Sequence, residues 1–139
     1  MQQTSEIITR LTGDWLFPTP IRFGPARLAE LAPLCNSLGI TRPLVVTDRS
    51  LAKTELAPRV LRAASGDTVA PRLFAEVQEN PTDANVGAGV AAFRDGQCDG
   101  VIALGGGSGL DCGKAIALIA GCGGSLWRFA WPDHEKAQA

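Results

Sequence analysis

Val101-Ile-Ala-Leu-Gly105-Gly-Gly-Ser108-Gly-Leu-Asp111-Cys-Gly-Lys114-Ala-Ile-Ala-Leu118 decides the fold of this chain. A short apolar run enters three glycines, then a serine, then a segment of helical character. The pattern predicts a strand, a turn without side chains, and a helix N-terminus. Such a turn bares backbone N–H groups at the positive end of a helix dipole, an arrangement that holds phosphate groups. A mere turn would not require three consecutive glycines, each of which costs conformational entropy.

Working outward, strands and helices alternate. Pro43-Leu-Val-Val-Thr-Asp48 predicts a short buried strand. Ser50 is a candidate cap for a helix running to about Ala64, with Pro58 against it. Val69 to Val77 predicts a strand, and Thr82 is a candidate N-cap for a helix to Arg94, ended by Gly96. Gly100 to Leu104 and Leu110 to Ala120 are the strand and helix flanking the glycines. Upstream, Trp15 to Phe23 predicts an irregular hairpin, and Pro25 to Leu38 a helix stopped by Gly39. The alternation implies an α/β fold, an open and mainly parallel sheet with helices on both faces. Ligands bind such sheets at the carboxyl ends of strands, where Asp48, Asn80 and the Gly105 turn all fall.

Composition narrows the classes. The 139 residues are 45% hydrophobic and 19% charged, which suits one self-supporting domain and argues against disorder. A net charge of −1 without a basic run invites neither nucleic acid nor an anionic membrane. Met1 to Arg10 lacks the pattern of a signal peptide, and every apolar run is broken before it could span a bilayer, so a cytoplasmic protein is expected. Cys35, Cys98, Cys112 and Cys122 form no C-x-x-C pair and are expected to be reduced thiols in or near the core.

Two phosphate motifs come close and fail. G-x-G-x-x-G started at Gly105 ends on Leu110, and Asp48 precedes the loop where a ribose-binding acid should follow it. G-x-x-x-x-G-K-[ST] meets Ser108 at its first glycine and Ala115 at its hydroxyl. Ser108-x-x-Asp111 fits a capping box. Asp48 has two readings: a cap for the next helix, or a carboxylate that accepts both hydroxyls of an adenosine ribose and favours NAD over NADP. Asn80 before Pro81 reads as turn chemistry, and Lys114 as a solvated lysine.

Gly105 to Leu118 resembles the GGGS-x-x-D-x-x-K-x-x-A segment of iron-containing (group III) alcohol dehydrogenases. Leu44 to Asp48, Glu79-Asn80-Pro81-Thr82 and Cys98 to Ile102 resemble, in order, the family's first nucleotide strand, its N-P-T turn and the strand into the glycines. The resemblance covers about residues 15 to 127. It implies a Rossmann-like dinucleotide-binding domain over 1–127, with 128–139 a divergent tail and the C-terminal helical metal domain absent. By motif, Asp48 would bind ribose, and Gly106, Gly107 and Ser108 the pyrophosphate of NAD, with Asn80 nearby. In the complete enzyme a divalent metal, iron or zinc, would polarise an alcohol while hydride passes to NAD, giving an aldehyde or ketone.

The chain departs from the family in its metal ligands. Its one histidine, His134, falls in the tail, whereas a catalytic metal needs about three protein ligands. No catalytic or metal residue is therefore assigned. The expectation is a truncated, split or frame-shifted dehydrogenase that alone binds NAD weakly and oxidises nothing. It would associate as a homo-oligomer or with a companion chain. The alternatives are a non-enzymatic nucleotide-binding module, or a glycerol dehydrogenase or dehydroquinate synthase branch; Ser108, where the glycerol branch tends to carry lysine, favours the alcohol branch.

Overall fold

A computed structural model describes the backbone of residues 13–16 and the whole of residues 19–66 and 68–129. The tail from 130, with His134, lies outside the described residues. The described elements are a hairpin, β1 (Gly13–Leu16) and β2 (Pro20–Phe23); a 3-10 turn (Arg27–Glu30) leading into α1 (Leu31–Ser37); β3 (Pro43–Asp48); α2 (Arg49–Ala52) and α3 (Leu56–Ala64); β4 (Arg72–Val77); α4 (Asp83–Asp95); β5 (Gly100–Ala103); α5 (Gly107–Cys122); and a 3-10 turn (Leu126–Phe129).

Three strands form a parallel sheet in the order β4-β3-β5. The central strand is buried from Pro43 to Thr47, which is why it reads as a continuous apolar run. Leu44 and Val46 pack with Phe74, Val77, Val86, Val90, Cys112, Ile116 and Ile119, the core beneath α4 and α5. Val45 and Thr47 alternate to the other face. Cys35 of α1 and Ala57, Val60 and Ala64 of α3 are buried there, where α1 packs on α3. Helices thus cover both faces of the sheet, as the alternation predicts.

The hairpin and every expected strand are present among the described residues, with three adjustments. The helix expected from Ser50 to Ala64 is two helices, broken at Lys53-Thr54-Glu55. The break places Pro58 in the first turn of α3, where its missing N–H costs nothing. The cap of α2 is Asp48, not Ser50. The last helix begins at Gly107 rather than Leu110, so its first turn includes Gly107 and Gly109 despite their low helix propensity. Thr82 caps α4 as expected, in a capping box closed by Asn85, which the periodicity did not indicate.

Asp99 ties the N-terminal ends of β3 and β5 together. Its carboxylate accepts from the Thr41 hydroxyl at 2.6 Å, the Arg42 N–H at 2.7 Å and the Thr41 N–H at 3.0 Å. Burial alone would raise this carboxyl, but those hydrogen bonds and the Arg42 charge outweigh it and hold Asp99 below the ordinary carboxylate range. The hairpin is tied to the first 3-10 turn by Glu30, which accepts from Arg27 at 2.7 Å and from Arg22 at 2.8 Å. No described helix is long and apolar enough to cross a membrane.

Candidate functional site: a glycine-walled cleft at the switch point of the sheet

From the central strand the chain crosses first to β4 at one edge and then to β5 at the other. The carboxyl ends of β3 and β5 are therefore a topological switch point, where the following segments diverge and leave a crevice. The Leu104 N–H bonds the Val46 carbonyl at 2.8 Å, which holds the start of the glycine loop beside the end of β3. A cleft of about 540 Å³ opens there, lined by Asp48, Arg49, Ser50, Val77, Gln78, Glu79 and Gly106 to Gly109.

The glycines fall into two kinds. Gly105 turns the chain at φ +139°, a conformation that side chains resist. A Cβ on Gly109 would lie 2.8 Å from the Leu104 carbonyl oxygen, and one on Gly113 would lie 2.6 Å from Ala103 Cβ. Those two glycines let α5 sit close on β5. A Cβ on Gly106 or Gly107 would meet nothing within 4 Å. The fold itself does not require these two to be glycine; a ligand lying over them would.

Gly106 is the N-cap of α5, and no described side chain caps the helix. The first N–H groups of this 16-residue helix are left facing the cleft end. The expected capping box of Ser108 and Asp111 does not form. Ser108 is inside the helix rather than at its cap, and its hydroxyl donates to the Glu79 carbonyl. Asp111 instead pairs with Lys114 at 3.1 Å on the exposed face of α5.

Asp48 caps α2: its Oδ1 accepts from the Ser50 and Leu51 N–H groups, both at 2.8 Å. Its Oδ2 turns toward Gly105, 3.9 Å from where a Cβ there would sit. The cap and the cleft wall are thus the same side chain, and one oxygen keeps its acceptor capacity for a ligand. The structure brings Asp48, Gly106, Gly107 and Ser108 to one cleft, and Asn80 lies exposed in the adjoining turn without lining it. Arg49, Gln78 and Glu79 line the cleft but were not singled out by motif. Their position just past two strand ends was the available signal.

Nucleophilic and metal chemistry find no support among the described residues. Burial pushes the Cys35, Cys98 and Cys112 thiols up, away from the reactive thiolate. Cys122 is exposed, and all four cysteines are free. No three His, Cys, Asp or Glu side chains gather where they could hold a metal ion. The described residues therefore do not fit the catalytic metal that the resemblance implies.

The family model for iron-containing alcohol dehydrogenases matches residues 18–139. The chain belongs to the iron-containing alcohol dehydrogenase family. Among its relatives in that family, 4-hydroxybutyrate dehydrogenase of Cupriavidus necator is 42% identical over 104 residues, which is 75% of this chain and 27% of the relative. The 1,3-propanediol dehydrogenase of Klebsiella pneumoniae is 36% identical over 119 residues, 84% of this chain and 31% of the relative. A crystal structure of 1,3-propanediol oxidoreductase superposes with a TM-score of 0.75 at 37% identity, covering 78% of this chain and 28% of that one. Sulfoacetaldehyde reductase of Bifidobacterium kashiwanohense, crystallised in complex with NAD+, gives 0.69 at 28% identity, covering 77% and 28%. The chain thus spans under a third of the length of these iron-containing alcohol dehydrogenase relatives.

Proposed function

We propose that this chain is the NAD-binding part of a metal-dependent alcohol dehydrogenase acting on a small alcohol or aldehyde in the cytoplasm. The observation that carries it is the pair Gly106 and Gly107, where an added Cβ would meet no described atom within 4 Å, at the uncapped start of α5. Main-chain N–H groups there would meet the pyrophosphate, and Asp48 Oδ2 would accept from the adenosine ribose. The same charge would repel a 2′-phosphate. A dinucleotide held there would supply the hydride acceptor for the alcohol carbon. The protein's part is to fix the dinucleotide at the switch point and orient it. The named relatives act on hydroxy acids, diols and aldehydes, which supports the substrate class. Free cysteines suit a reducing compartment. Metal ligands would come from a companion segment or chain.

An NADH titration followed by nicotinamide fluorescence tests this reading. Gly107→Val fills the open space over the loop and should weaken NADH at least about tenfold, with the unfolding midpoint nearly unchanged because no protein atom is displaced. Asp48→Asn keeps a capping oxygen and should narrow the preference for NADH over NADPH. Equal affinities in all three proteins would refute the site.

A further inference from the structure

The glycine loop meets the loop between β4 and α4 through one side chain, Ser108. That loop is anchored at its far end by Asn85, whose amide donates to the Glu76 carbonyl at 3.2 Å and accepts from the Thr82 N–H at 3.1 Å. From Gln78 to Pro81, the bond from Ser108 Oγ to the Glu79 carbonyl is the one hydrogen bond among the described residues that ties the loop to the body. Gln78 and Glu79 form one wall of the cleft, and Gly106 to Gly109 the other. Ser108 therefore bridges the two walls.

A serine hydroxyl has one hydrogen to donate. With that hydrogen given to Glu79, the oxygen offers only lone pairs, which repel a phosphate oxygen. The Ser108 main-chain N–H, in the first turn of α5, has no helical carbonyl in reach. We infer that Ser108 is a positioning residue: its hydroxyl latches the β4–α4 loop and sets the width of the cleft, while its amide alone meets the anion. The inference rests on the nucleotide reading above, and it assigns the side chain a different task from the phosphate ligand that the motif suggests.

Amide NMR relaxation and NADH titration of the full 139-residue chain test it, with Ser108→Ala and Ser108→Thr. In the ligand-free protein, Ser108→Ala should lower the backbone order parameters of Gln78, Glu79 and Asn80 to below about 0.6 while those of β3 stay at about 0.85. NADH affinity should fall with it, roughly three- to tenfold. Ser108→Thr, which keeps a hydroxyl, should restore both. Unchanged loop order parameters in Ser108→Ala, with NADH weakened, would overturn the latch and make the hydroxyl a direct ligand. A loosened loop with unchanged NADH affinity would overturn the positioning role. Failure of the wild-type chain to bind NADH would instead sink the nucleotide reading, whatever the relaxation shows.

Discussion

Thr47 is fully buried, one residue before the carboxylate at the cleft, and its hydroxyl has no hydrogen-bond partner among the described residues. An unpaired buried hydroxyl costs free energy that a methyl group of the same shape does not. Thr47→Val should therefore stabilise the chain by about 1 kcal/mol, read as a higher urea midpoint at unchanged slope. A lower midpoint would mean that the hydroxyl is paired. Asp48 carries the opposite lesson. From sequence its two readings competed; in the structure one oxygen caps α2 and the other remains free toward Gly105. A carboxylate has two oxygens, so the alternatives need not exclude each other. Ser108 shows the limit of motif reading, because its partner, the Glu79 carbonyl, lies 29 residues away and belongs to another loop.

At the scale of elements, Asp99 joins β3 to β5 and ties the sheet's behaviour to pH. Its folded-state carboxyl is held below the ordinary value, so it binds protons less readily folded than unfolded. Its contribution is fully present above the ordinary carboxylate pKa of about 4 and is lost as pH falls through the lower folded value. Asp99→Asn should cost about 1 kcal/mol at pH 7, since the carboxylate is exposed and its bonds partly screened. The difference from wild type should shrink as pH falls below the ordinary carboxylate value of about 4. A difference independent of pH in urea unfolding would remove the charge from the account. The strands and α4 were legible because their apolar periodicity and caps are local. The break between α2 and α3 and the early start of α5 were not. Both depend on what the segment packs against: a side chain at Gly109 would strike the Leu104 carbonyl.

For the whole molecule, three of the exposed apolar side chains, Leu118, Trp127 and Phe129, line one shallow hollow. Leu118, Trp127 and Phe129 are exposed on and after α5, and Trp127 and Phe129 follow the last helix on its way out of the sheet. Trp127 also lines cavities of about 370 and 450 Å³ over α4 and α5. Such surface favours association. The absence of a three-ligand group among the described residues bears on activity at the same scale. Added ferrous or zinc ion should produce no NAD-linked alcohol oxidation by the 139-residue chain, measured as NADH absorbance with short primary alcohols and diols. Metal-stimulated turnover would show a complete catalytic centre within it.

The order of apolar runs, caps and glycines by itself determined an α/β sheet with a phosphate-type turn after β5. Strand and helix periods and the freedom of glycine are properties of neighbouring residues. Which glycines serve packing and which stand open to a ligand, what Ser108 bonds, and that Asn80 stays outside the cleft were decided only by the tertiary structure. Each of those depends on atoms brought together from distant parts of the chain, and contact at that range leaves no mark in local spacing.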